Sequence, residues 1–335
     1  MNRVVTVLGV TGRLGPAVAR AFEGDPCEAE AAALGATWDA ARRDAVRDAF
    51  SATGLPFADT SGQTTVRMLD AWSERWSQER VAACRAAPSS PQLAAQPAIR
   101  CLDAQLRELD ALAGRLAHAT AVTATHAVDA AAALPDPVRC ADLPPLQSAE
   151  DDDPLSDEAT RLEQLRDAAA EARVLLHTGA LLEAARLAEP LVTSAATAGQ
   201  PGLEAEAGLV LAQTLDARDE PSRAEEQLRT AAVRAAVADR PELEAEAWLW
   251  LVHVVGERLG LHDEAHLAAV AAEAAIARGR LRASMGPRLD MAQAAVELDQ
   301  GRYDDAREHL EHALERLRTR EPLPELALAQ AWLDL

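Results

Sequence analysis

Four cysteines, Cys27, Cys84, Cys101 and Cys140, are the side chains best suited to covalent chemistry in this 335-residue chain. No two are spaced Cys-x-x-Cys, and no histidine clusters with them. Neither a zinc site nor a thioredoxin-like motif is therefore written here. All four lie in one amino-terminal segment. An even count confined in this way fits two disulfides formed in an oxidising compartment. Four unrelated buried thiols in a cytosolic protein are the alternative.

A second candidate is a glycine loop. Val4 to Leu8 reads as a short strand, and Gly9, Gly12 and Gly15 follow it before an alanine-rich helix. A nucleotide-binding βαβ unit begins this way, with a helix amino end facing a pyrophosphate. Such a unit needs a second parallel strand ending in an acidic residue about 20 residues on. Here Cys27 to Leu34 reads as helix instead. A nucleotide-binding enzyme built on Gly9, Gly12 and Gly15 is thus the rival reading, and no cofactor is expected.

The histidines and tryptophans offer less chemistry. His262 and His266 are four apart on one helix face, with His309 and His312 one repeat later, but a metal site needs a third ligand. They read as exposed side chains. Trp248 and Trp250 share a helix but cannot face the same way. One belongs to the core. The other, with His253 and Glu257, is a candidate groove anchor. No metal and no catalytic residue is expected.

The elements that hold these groups are helices. Hydrophobic residues make up 49% of the chain, but aromatic residues only 3%. The apolar share is mostly Ala and Leu, which suits close-packed helices and starves strands of branched and aromatic side chains. Acidic residues outnumber basic ones 54 to 33, for a net charge of -21, and every basic residue is Arg. That balance argues against nucleic acid or an anionic membrane surface as partner.

Residues 1–24 form an apolar segment interrupted by Arg13 and Arg20. It reads as a degenerate membrane or signal remnant, and so as a candidate tether. Residues 25–143 read as a helical, cysteine-containing domain. A helix over Ser61 to Ala87 carries Leu69, Trp72 and Trp76, and Ile99 to Leu116 carries the stripe Leu102, Leu106, Leu109, Leu112 and Leu116. A Pro-rich acidic linker follows at 144–157, then a repeating region at 158–335.

The repeat is marked twice. Gly179 to Ala184, Asp219 to Ala224, Gly260 to Ala265 and Gly301 to Ala306 align, and their closing alanines Ala184, Ala224, Ala265 and Ala306 are 40, 41 and 41 residues apart. Seven residues beyond each sits Leu191, Ala231, Ala272 or Ala313. The motifs beginning at Pro201, Pro241 and Pro324 recur with related spacing. Glycine ends the first helix of a hairpin at a positive φ. Alanine then sits where helices cross, because a larger side chain would push them apart. With Tyr303, this pattern resembles tetratricopeptide repeats (TPRs), whose usual period is ~34, whereas here it is about 41. The expected fold is all-α: a helical amino-terminal domain followed by a TPR-like solenoid of hairpins. The motif at Pro324 begins a first helix with no partner, so the chain is expected to be cut short, or closed by another molecule.

Residues before the repeats carry a further likeness. Asp25-Pro26-Cys27, Trp38 to Val46 with Phe50 and Thr53-Gly54, Trp72 to Trp76, Cys84, Cys101-Leu102-Asp103 with Leu106 to Leu109, and Leu134-Pro135 to Asp142 are the landmarks. Together they resemble the carboxy-terminal region of bacterial Hanks-type serine/threonine kinases that contain TPRs. The likeness covers about residues 25–335. It implies a kinase domain and a membrane span upstream, and an extracytoplasmic site for this region, with a cytoplasmic one as alternative. It also suggests the pairs Cys84 with Cys101 and Cys27 with Cys140. Kinase activity is not implied, because the chain has no Lys, no His-Arg-Asp and no Asp-Phe-Gly. A non-catalytic sensor or scaffold for a protein or peptide partner is the expected function. Oligomeric state is left open.

Overall fold

The computed structural model describes residues 26–32, 34–86, 97–142 and 157–318. The segment at 1–24, Gly9, Gly12 and Gly15, most of the linker at 144–157 and the motif at Pro324 lie outside the described residues. The described residues are helical, with no strand among them.

Six helices come first: α1 (Pro26–Ala31), α2 (Leu34–Thr37), α3 (Ala40–Ala52), α4 (Ala58–Ala86), α5 (Pro97–Leu116) and α6 (Ala121–Ala132). A 3-10 turn, Pro137–Asp142, closes the set. The leucine stripe of α5 meets Trp38, Phe50, Leu69, Trp72 and Trp76 in one buried cluster. Buried indoles keep a polar handle that must be satisfied. Trp38 donates to Asp70 at 2.8 Å, Trp72 to the Pro135 carbonyl at 2.8 Å, and Trp76 to the Leu102 carbonyl at 2.8 Å.

The disulfides are Cys27 with Cys84 and Cys101 with Cys140, which corrects the expected pairing. The reason is spatial. Helix α1 packs along α4, and the 3-10 turn packs on α5. These contacts bring the bonded Cα atoms to 5.5 and 5.6 Å, within the reach of a disulfide. Adjacency along the chain does not decide it.

Eight helices follow: α7 (Asp157–His177), α8 (Leu181–Thr197), α9 (Pro201–Ala217), α10 (Pro221–Val237), α11 (Pro241–His253), α12 (His262–Arg278), α13 (Arg282–Asp299) and α14 (Tyr303–Arg318). Each packs on its sequence neighbours. The turns between them share one construction. Gly179, Gly199, Asp219, Asp239, Gly260, Arg280 and Gly301 all have positive φ and fall every 20 or 21 residues. The next amide usually bonds back five residues, as Glu220 does to Leu215 at 2.9 Å and Arg302 to Glu297 at 2.8 Å. This closure satisfies carbonyls that the helix end would otherwise orphan.

Ala184, Leu191, Ala224, Ala231, Ala265, Ala272, Ala306 and Ala313 are all buried. Tyr303, expected among the packing residues, instead opens α14 with 65% of its surface exposed. The two halves of the chain are in contact. Helix α5 packs on α7, and Val174 of α7 joins the tryptophan cluster.

Candidate functional site

The candidate site grows from a break in helix α11. After His253 the chain makes a π turn, Val254–Arg258, before the bend at Gly260. The amide of Leu259 reaches back five residues to Val254 at 3.1 Å, and that of Leu261 six residues to Val255 at 2.7 Å. A π turn holds one residue more than an α turn. It therefore accounts for the step of 21 between the bends at Asp239 and Gly260.

Gly256 makes the turn fit. A Cβ at this position would stand 2.6 Å from Val296 Cγ2 and 3.2 Å from Ala265 Cβ. Helices α12 and α13 thus approach the turn closely, which fixes its outer side chains. Glu257 and Arg258 project outward. Arg258 Nε donates to Asp216 at 3.0 Å and its Nη2 to Asp219 at 2.6 Å, tying the turn to the end of α9.

His253 stands between two carboxylates. Its Nδ1 lies 2.8 Å from Glu257 and its Nε2 3.3 Å from Asp216. Both partners accept, so the ring holds both positions fully only as the imidazolium. Hydrogen bonding to Glu257, with the negative charges of Glu257 and Asp216, raises its pKa above the ordinary histidine value despite partial burial. The edge of the ring meets Trp250 in a T-shaped contact, centroids 5.7 Å apart.

Trp250 Nε1 donates to Glu246 at 3.2 Å. Arg288 of α13 grips the same carboxylate with both nitrogens, one of them at 2.6 Å. Burial opposes ionisation of Glu246, but Arg288 and the indole N–H outweigh it and hold the carboxyl below its usual range. Leu249, Trp250, His253, Arg288 and Ala292 together line an open pocket of about 200 Å³ between α11 and α13.

The three candidate groove residues are therefore neighbours, at successive turns of α11 and its π extension. Asp216, Glu246, Gly256, Arg258 and Arg288 complete the site without having been singled out in the sequence. The acidic motif shared by the stretches after Pro201 and Pro241 was a signal for part of this, since it contains Glu206 and Glu246. The same motif supplies Glu204 and Glu244. Both are buried, and they pair with Arg234 at 3.0 Å and with Arg278, respectively.

The remaining histidines are dispersed. His262 meets Asp299 at 2.7 Å, His266 meets Gln300 at 3.2 Å, and His309 lies 3.5 Å from Glu297. Among the described residues, no group of three or more His, Cys, Asp or Glu side chains is arranged to hold a metal ion. No helix among them is long and apolar enough to cross a membrane. No protein-family model matches the chain, and no curated protein or solved structure matches it.

Proposed function

We propose that this chain is a non-catalytic interaction module, a TPR-like solenoid of helical hairpins whose inner face holds a peptide or helix of a partner protein. The observation that carries the reading is the pocket at Trp250. A large aromatic side chain lies half-buried beside a concavity on α11, a first helix of its hairpin, and ion pairs fix its neighbours. Anchors of this kind carry most of the energy at protein interfaces. The recurring bends and buried alanines support the repeat reading, because they let successive hairpins nest without a gap.

On the likeness of its sequence landmarks to the TPR-containing regions of serine/threonine kinases, we read such a module as part of a signalling protein. On that reading it senses or gathers partners for a kinase encoded with it. The gene sequence upstream of Met1 tests this part: a kinase frame ending in a membrane span supports it, and an unrelated gene contradicts it. The binding role is tested by affinity capture from the source cells with the full chain and its Trp250→Ala variant. Thermal unfolding of both confirms equal folding. Capture is expected to fall in the variant, and unchanged capture would contradict the role.

A further inference from the structure

We infer that the groove at Trp250 takes a basic partner segment, seated by one large apolar side chain. The inference rests on the interaction reading above and adds the chemical class of the partner.

The pocket sets the anchor. Leu249, Trp250 and Ala292 give it apolar walls, and its volume of about 200 Å³ has room for a single large side chain. The charged groups around it set the rest. Four carboxylates stand here: Asp216, Asp219, Glu246 and Glu257. The two guanidinium groups beside them are already engaged. Arg288 is held by Glu246, and Arg258 by Asp216 and Asp219. His253 is held between Glu257 and Asp216. Arg139, Arg173 and His177 also interact with Glu246 through its charge, and none of them lines the pocket.

An acidic segment could reach only guanidinium groups that Glu246 or Asp216 already hold, and it would stand against those carboxylates, which are 24% and 12% exposed and so poorly screened by solvent. Like charges set side by side at an interface are costly. A basic segment breaks nothing. Asp219 is 87% exposed and Glu257 also reaches solvent, so both accept a further cation. The net charge of -21 steers a cation toward the chain as well.

Two synthetic amphipathic peptides test this. They share a leucine face at helical spacing and differ only in carrying Arg or Glu on the polar face. Binding to the full chain is followed by fluorescence anisotropy at low and at moderate salt. The Arg peptide is expected to bind and the Glu peptide not. Trp250→Ala is expected to weaken the Arg peptide at least about tenfold, as loss of an anchor does. Ala292→Phe, which fills the pocket while leaving Trp250 in place, is expected to do the same if Trp250→Ala folds poorly. Tighter binding of the Glu peptide would overturn the inference while leaving the groove reading standing. Equal binding of the Arg peptide to wild type and both variants would place it elsewhere on the acidic surface and overturn it too. So would no binding of either peptide, whereas the groove reading has its own test in capture from cells.

Discussion

His253 and Asp216 are 37 residues apart in sequence and 3.3 Å apart in space, joining the end of α9 to the end of α11, where the π turn begins. Glu257 holds the other nitrogen of the same ring. The contact makes the groove and the stacking of neighbouring hairpins one structure.

That contact has a pH signature. Hydrogen bonding to Glu257 raises the folded pKa of His253. The stabilisation is thus fully present below the unfolded value of about 6.5 and is lost as pH rises through the higher folded value. His253→Gln is expected to lower the melting temperature clearly near pH 5.5 and much less near pH 9. Melting curves of both proteins at the two pH values check this. An equal loss at both would show that the ring contributes by packing alone.

His177 behaves in the opposite way. Burial, with the charge of Arg173, lowers its pKa to about 4. It lines a cavity of about 10 Å³ together with Glu108, Arg173 and Leu134. A histidine held neutral costs the folded state stability as pH falls from about 6.5 towards 4, on the order of 3 kcal/mol in full. His177→Leu is expected to flatten this acid-side loss, measured by urea unfolding across that range. A slope equal to that of wild type would contradict the assignment.

Two glycines should respond with opposite sign. Gly208 lies in α9, and an added Cβ would meet Ala231 at 3.4 Å, an ordinary contact. Gly208→Ala is therefore expected to stabilise by up to about 1 kcal/mol through helix propensity. At Gly256 the Cβ would meet buried Val296 at 2.6 Å, and a branched side chain has little freedom to retreat. Gly256→Ala is expected to destabilise by about 1–3 kcal/mol. Chemical denaturation of the two variants decides, and stabilisation by Gly256→Ala would contradict the close packing of the π turn.

The cysteine pairing is open to direct chemistry. Peptide mapping without reduction should find Cys27 linked to Cys84 and Cys101 linked to Cys140. Loops of 57 and 39 residues are closed. The chain-entropy account gives about 4 kcal/mol for each. Replacing Cys101 and Cys140 by Ser is expected to lower the stability of the amino-terminal helices by an amount of that order. Peptides linking Cys84 to Cys101 would contradict the packing of α1 on α4.

Much of the frame was readable because close packing leaves marks in sequence. A position where two helices cross accepts only a small side chain, so Ala184, Ala224, Ala265 and Ala306 stand out at a regular interval. A left-handed bend favours glycine, so Gly179, Gly260 and Gly301 mark the bends. Trp250, His253 and Glu257 were legible as neighbours because they follow one another at helical spacing on α11 and its extension. The pairing of the cysteines was not legible, since it depends on which helices meet, and the family likeness pointed elsewhere. The π turn was not legible, since the interval of 41 it produces recurs in the next repeat, where the bend at Gly301 falls 21 residues after Arg280 across an unbroken α-helix. Tyr303 fitted the repeat pattern in type, yet it sits at the exposed start of α14.

The most direct test of the account is photo-crosslinking from defined positions in the source cells. Benzoylphenylalanine is placed at Ala295, one helical turn from the pocket residue Ala292 and leaving Trp250 in place, or at Leu267, exposed on α12. The account predicts a discrete protein adduct from position 295 and none from 267. Adducts from 267 alone, or equally from both positions, would contradict it.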